Sequence, residues 1–214
     1  MPFIVFEGLD GSGKSSLISA FEGALQKQSI PFIRTREPGG TPLGEELRQI
    51  ILRTNGEAPC PRTELLLYEA IRAQHVEKVI QPALAKGLWV LCDRFAASSI
   101  AFQAGGREIK EEEVVQLNTF ATKGLEADLT VLLDLPVEVS QQRIHGRNHQ
   151  TGEGVDRIEL EKKDFHERVR NSFLQQSQGQ KKWLVLNSQN TTDSMLAKLL
   201  ERARSEGWLS SLVP

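Results

Sequence analysis

The residues Gly8-Leu9-Asp10-Gly11-Ser12-Gly13-Lys14-Ser15 satisfy the pattern G-x-x-x-x-G-K-[ST] in full. These residue types suit the binding of a polyphosphate. Glycines let successive backbone N–H groups turn inward around phosphate oxygens, where a side chain would block the approach. Lys14 can reach the outer phosphates, and the hydroxyl of Ser15 is a hard oxygen donor for Mg²⁺. A helix starting near Ser15 and Ser16 would add the positive end of its dipole. The pattern therefore points to a nucleoside triphosphate such as ATP, carried with Mg²⁺. By itself it does not choose among GTPases, ATPases and small-molecule kinases. A guanine-reading N-K-x-D is absent.

A second group of residues bears on the other substrate. Asp93-Arg94 follows the apolar run Leu88–Cys92. An acid at the C-terminal end of a buried strand stands where open α/β sheets bind ligands, near enough to serve a metal ion. The planar fork of an arginine suits a phosphate. Tyr68 and Arg72 are four residues apart on an expected helix and so share a face. That pair could stack and hydrogen-bond a base, or be one core ring and one solvated charge; spacing alone favours the second. Arg34, Arg36 and Arg48 are equally compatible with ordinary surface charge. No Ser-His-Asp or paired-carboxylate arrangement is evident.

The elements that must position these residues alternate. Short apolar runs at Phe3–Phe6, Phe32–Ile33, Leu88–Cys92, Leu129–Leu135 and Trp183–Leu186 read as strands buried on both faces of a parallel sheet. Between them, helical spacing covers Ser15–Gln28, Gly44–Leu52, Pro61–Lys86, Lys110–Lys123, Val137–Ile144, Leu160–Gln178 and Thr192–Glu206. Strand–helix alternation implies an α/β fold with right-handed crossovers. Gly105-Gly106 and the polar stretch Gly146–Gly154 read as loops, the latter a plain surface loop or a lid.

The 214 residues, 39% hydrophobic and 25% charged, are those of one large domain rather than a disordered or fibrous chain. A formal net charge of −2 argues against a dedicated nucleic-acid surface. Cys60 and Cys92 are too few for a disulfide framework or a cysteine-rich zinc site. The start Met1–Phe6 lacks the basic segment of a signal peptide, and no apolar run approaches the ~20 residues that span a bilayer. A cytoplasmic protein without membrane contact is expected.

Taken together and in order, the motifs resemble those of the thymidylate kinase family. They are Glu7–Ser16, Arg36-Glu37-Pro38-Gly39-Gly40-Thr41, Arg72-Ala73-Gln74-His75, Asp93-Arg94-Phe95, Ser98-Ser99, Phe102-Gln103 and Asp156-Arg157-Ile158-Glu159. The resemblance covers nearly the whole chain. It implies a three-layer nucleoside monophosphate kinase fold with a five-stranded parallel sheet, helices on both faces and a small lid at about 145–157. It implies transfer of the γ-phosphoryl of ATP to dTMP with Mg²⁺, in supply of dTTP for DNA synthesis, by a homodimer.

Residue roles carry over by position. Tyr68 matches the ring that stacks on thymine, and Arg72 the arginine that bonds a thymine carbonyl. Ser99 and Gln103 match polar groups near the base, and Phe102 a ring beside the sugar. Arg48 and Arg94 match acceptor-phosphate arginines, Asp10 the acid near the 3′-hydroxyl, and Glu37 an acid near the phosphates and metal. Arg143 matches a residue near adenine. No arginine lies between Asp10 and Lys14, so the resemblance is to members whose lid supplies the cation, here Arg147 or Arg157. His145, His149 and His75 have no metal-ligand spacing; His75 reads as helix packing or a local hydrogen bond. Two competing functions are a kinase for another monophosphate such as dUMP, and a nucleotide-binding regulatory module that has lost catalysis. Intact Lys14, Ser15, Asp93 and Arg94 oppose the latter.

Overall fold

The computed structural model describes the backbone of residues 1–151 and 154–209, and side chains of 1–147 and 154–209. The side chain of His149 and residues 152–153 of the expected lid thus lie outside what is described.

Five strands, β1 (Phe3–Glu7), β2 (Phe32–Arg36), β3 (Trp89–Asp93), β4 (Leu129–Asp134) and β5 (Trp183–Asn187), form one sheet in the order β2-β3-β1-β4-β5. Every pairing is parallel. The apolar runs explain the order. β1, β3 and β4 are buried almost throughout, whereas the edge strands β2 and β5 are partly exposed. β2 runs three residues beyond its apolar start because Arg34, Thr35 and Arg36 keep pairing with Leu91, Cys92 and Asp93. An edge tolerates such polar side chains.

The helices are α1 (Lys14–Lys27), α2 (Pro42–Leu52), α3 (Pro61–His75), α4 (Gln81–Ala85), α5 (Ala96–Ser99), α6 (Glu111–Thr122), α7 (Val137–Thr151), α8 (Lys163–Ser177) and α9 (Thr192–Ser205). One face of the sheet packs on α1 and α9 through Leu17, Ile18, Phe21, Leu25, Met195 and Leu199. The other packs on α8 through Phe165, Val169 and Phe173, and on the α3–α4 run through Val76, Ile80 and Ala83. Each of these side chains larger than alanine contributes about 1.5–3 kcal/mol by leaving water.

Three sequence expectations change. The single helix expected over Pro61–Lys86 contains a π-helical turn at Val76–Ile80. Pro82 follows it, and a proline cannot donate to the carbonyl four residues back; the wider turn absorbs that misfit. Gly105-Gly106 is not a loop: it ends a π-helical run, Ile100–Gly106, that continues α5. Glycine there permits close approach to α8, since a Cβ on Gly106 would lie 2.5 Å from the Phe165 ring and one on Gly105 2.8 Å from Ser172. Likewise, α7 runs on through Thr151, so the first half of the presumed loop at Gly146–Gly154 is helical.

Candidate active site

β1 ends in the middle of the sheet, and the chain then crosses to either side, leaving a crevice at the C-terminal strand ends. The phosphate loop fills it. Gly8, Gly11 and Gly13 all adopt positive φ, at 133°, 72° and 86°. A Cβ on Gly8 would sit 2.5 Å from the carbonyl oxygen of Leu133, so both conformation and space require glycine there. Gly13 is the N-cap of α1. Lys14 Nζ donates to the carbonyls of Gly8 (3.1 Å) and Leu9 (3.0 Å) and lies 3.9 Å from Asp10 Oδ1. Burial and the nearby Arg94 lower its pKa.

The loop is braced from outside. Ser140 Oγ donates to the Asp10 carbonyl at 2.7 Å, and Ser188 Oγ donates to the Ser12 carbonyl. Arg143 Nη1 donates to the Gly11 carbonyl at 3.2 Å, and its Nη2 to the Ser188 carbonyl at 3.0 Å. Arg143 and Arg147 line the same open cleft as Lys14, Ser15, Ser16, Asp93 and Arg94.

The turn after β3 holds Arg94 at φ 69°, an unusual conformation for a non-glycine residue. Three groups fix it. Arg94 Nη2 donates to Asp10 Oδ1 at 2.8 Å, and Cys92 Sγ donates to the Arg94 carbonyl. Glu7, fully buried at the end of β1, accepts from the backbone N–H of Phe95 (2.9 Å) and Ser98 (3.2 Å) and from Ser98 Oγ (2.6 Å). Burial pushes the Glu7 carboxyl up to about 7, against the pull of Arg94 3.9 Å away. Burial also opposes charge on Asp10, yet Arg94 and Lys14 outweigh it and hold that carboxyl well below the usual range.

A second pocket opens beside the first, bounded by Tyr68, Arg72, Ser99, Phe102, Gln103, Asp156 and Ile158. The two share Asp10, Glu37, Arg48 and Arg94 as common walls. Arg72 is 1% exposed, which rules out a solvated charge. Its Nε donates to Glu37 Oε2 (2.9 Å), its Nη1 to Glu69, Ser99 and Asn118, and its Nη2 to the Phe95 carbonyl (3.0 Å). Burial alone would disfavour the cation, but Glu37 and Glu69 raise its pKa. His75 bridges Glu37 Oε1 (3.0 Å) and Thr35 Oγ1 (2.6 Å), a local hydrogen-bonding role as its position suggested. Phe102 packs on Phe165 and Phe173 with Arg94 5.0 Å above its ring.

The thymidylate kinase family model matches residues 6–199, from the end of β1 into α9. The chain belongs to the thymidylate kinase family. It is 64% identical over 202 residues to the thymidylate kinase of Bdellovibrio bacteriovorus, covering 94% of each chain. It is 51% identical over 176 residues to that of Latilactobacillus sakei, covering 82% of this chain and 81% of the relative. To that of Geotalea daltonii it is 42% identical over 194 residues, 89% and 91% of the two chains.

Against this thymidylate kinase framework, the residues expected from sequence fall into place unevenly. From the phosphate loop, Asp10, Gly11, Gly13, Lys14, Ser15 and Ser16 line one cleft with Asp93, Arg94, Arg143 and Arg147, while Gly8, Leu9 and Ser12 are buried; Glu37, Arg48, Tyr68, Arg72, Ser99, Phe102 and Gln103 line the adjoining pocket. Arg157 does neither: its Nε donates to the Ile51 carbonyl (2.9 Å) and its Nη2 to Glu64 (2.6 Å). Arg147 pairs with Glu159 at 2.7 Å while lining the phosphate cleft. Sequence reasoning assigned no part to Glu64, Glu69, Arg107, Asn118 or Ser188. One signal was available for Glu64, which lies four residues before Tyr68 and eight before Arg72 on the same helical face.

Proposed function

We propose that the chain transfers the γ-phosphoryl group of ATP to dTMP, giving ADP and dTDP. The observation that carries this reading is the joining of the two cavities. A loop built for a polyphosphate and a pocket with a ring, a buried arginine and an amide meet at Arg48, Arg94, Asp10 and Glu37. Two anionic groups can be brought together there, between Lys14 on one side and Arg48 and Arg94 on the other.

The chemistry follows from charge. A phosphate oxygen of the acceptor is already negative and needs no strong base. It attacks the γ-phosphorus as the bond to the β-bridging oxygen breaks, and ADP leaves with that electron pair. What the protein must supply is alignment and neutralisation of repulsion. Lys14 exchanges the carbonyls of Gly8 and Leu9 for phosphate oxygens. Arg94, pinned by Asp10, and Arg48 hold the acceptor phosphate. Tyr68 stacks on the base and Arg72 donates to its carbonyl. Phe102 borders the sugar. Arg143 lies toward adenine, and the segment 145–157 serves as lid.

Mg²⁺ fits the residues present. Ser15 and Asp93 are hard oxygen donors on the same cleft, and Asp93 Oδ1 is buried without a hydrogen-bond partner among the described residues. These two would hold the ion, which neutralises phosphate charge when bound. Of the two lid arginines, Arg147 is assigned to the transferred group because it lines the phosphate cleft, whereas Arg157 is held by Glu64. Arg157 would have to leave Glu64 to do so.

The reading includes a homodimer and a cytoplasmic location. The first is supported by α6: Val114 and Ala121 are in the core, while Phe120 is 83% exposed. No described helix is long and apolar enough to cross a membrane. ADP release measured over a panel of nucleoside monophosphates tests the function. dTMP should give the highest kcat/KM; a clear preference for dUMP or another acceptor would overturn the assignment.

A further inference from the structure

Glu64 lies on α3 and is fully buried. Its carboxylate accepts hydrogen bonds from three side chains. Gln103 Nε2 donates to Oε1 at 3.0 Å. Arg107 donates through Nε to Oε1 and through Nη2 to Oε2, both at 3.1 Å, and Arg157 Nη2 donates to Oε2 at 2.6 Å. Arg107 is itself held over the Phe165 ring, 4.7 Å from its centroid, and by Glu161. Burial works against the charge on Glu64, but Arg107, Gln103 and Arg157 outweigh it and keep the carboxyl ionised.

An ionised carboxylate only accepts. The Gln103 side chain beside it must therefore turn its NH₂ toward Glu64. Its Oε1 is left without a hydrogen-bond partner among the described residues, in a side chain that lines the nucleoside pocket. On the same pocket Arg72 has one Nη2 hydrogen beyond that given to the Phe95 carbonyl. The same pocket thus offers both a donor and an acceptor.

We propose that Glu64 is a positioning residue for base selection: it locks the Gln103 amide so that only a base offering a carbonyl next to a ring N–H is matched. The proposal rests on the nucleotide reading above and sharpens it. Thymine and uracil carry O4 beside N3–H. Cytosine carries an amino group beside an unprotonated N3, the reverse pattern, and would set donor against donor and acceptor against acceptor. Guanine has the matching pair on a larger ring, so this device separates pyrimidines from one another. Such mismatches are costly because both partners stay buried and unpaired.

The test is a double-mutant cycle on the full chain, reading kcat/KM for dTMP and for dCMP. Glu64→Gln permits either amide orientation at Gln103. It should lower the dTMP:dCMP ratio about tenfold or more, with KM for ATP little changed. In a Gln103→Leu background, adding Glu64→Gln should leave the ratio unmoved. An unchanged ratio in the single variant, or an equal drop in both backgrounds, would overturn the proposal, because a merely structural role acts regardless of residue 103. Wild-type protein with no preference for dTMP over dCMP would overturn both this and the substrate assignment; a normal wild-type preference isolates the failure to Glu64. If Glu64→Gln does not fold, binding of dTMP is compared with its N3-methyl analogue, which keeps both carbonyls but lacks the N3–H. Wild type should lose about tenfold and Gln103→Leu nothing; equal wild-type affinities would refute the amide orientation.

Discussion

Lys14 and Arg72 are both buried cations, but they do different work. Lys14 is held by two carbonyls of its own loop, a weak tether that a phosphate can replace. Lys14→Ala should leave the circular dichroism spectrum unchanged and lower turnover by about 10²–10³-fold, as removal of one charge-stabilising group does elsewhere. Near-normal turnover would remove the loop from the mechanism. Arg72 is instead the hub of a network in which Glu37 and Glu69 depend on it. Arg72→Ala strands two buried carboxylates, so it should destabilise the protein by about 3–5 kcal/mol in urea titrations. In the folded fraction it should raise KM for dTMP more than KM for ATP. Equal rises would count against a role in reading the base. The sequence motif pointed to Arg72, yet spacing alone left it a plausible surface charge; only its enclosure by α5, α6 and the turn after β2 shows otherwise.

Elements are coupled at this site through single side chains, and Glu7 is the clearest case. It ends β1, accepts from the N–H groups of Phe95 and Ser98, and so joins the phosphate loop strand to the start of α5. Its folded pKa is raised from 4.5 to about 7, chiefly by burial. Between those values the folded state binds more protons than the unfolded chain, so stability should fall as pH rises from about 4.5 to 7 and level off above. Glu7→Gln should flatten that slope; an unchanged slope in denaturant titrations across this range would place its source elsewhere. At the same scale, strands and long helices were legible in sequence because period and apolarity are local. The helical run from Ala96 to Gly106 was not. Its small residues and closing glycines look like a loop until Phe165 and Ser172 of α8 are seen pressed against them.

For the whole molecule, the exposed Phe120 on α6 carries the expectation of a dimer. Phe120→Asp should convert the expected dimer to monomer in sedimentation experiments, with little loss of monomer stability because the ring is not in the core. A wild-type monomer would defeat the expectation. The contrast between chain and fold is clearest here. Contiguous residues decided the phosphate loop: its glycines, lysine and serine act through backbone geometry within one turn, and no distant residue is needed to recognise them. Alternating apolar runs decided the parallel sheet for the same local reason. What the tertiary structure alone decided is which charges meet. Gln103, Arg107 and Arg157 converge on Glu64 from 39, 43 and 93 residues away. That convergence draws Arg157 away from the phosphate cleft and leaves Arg147 lining it. Long-range pairing of buried charges has no sequence period, because it depends on where separate elements pack and on the low dielectric between them.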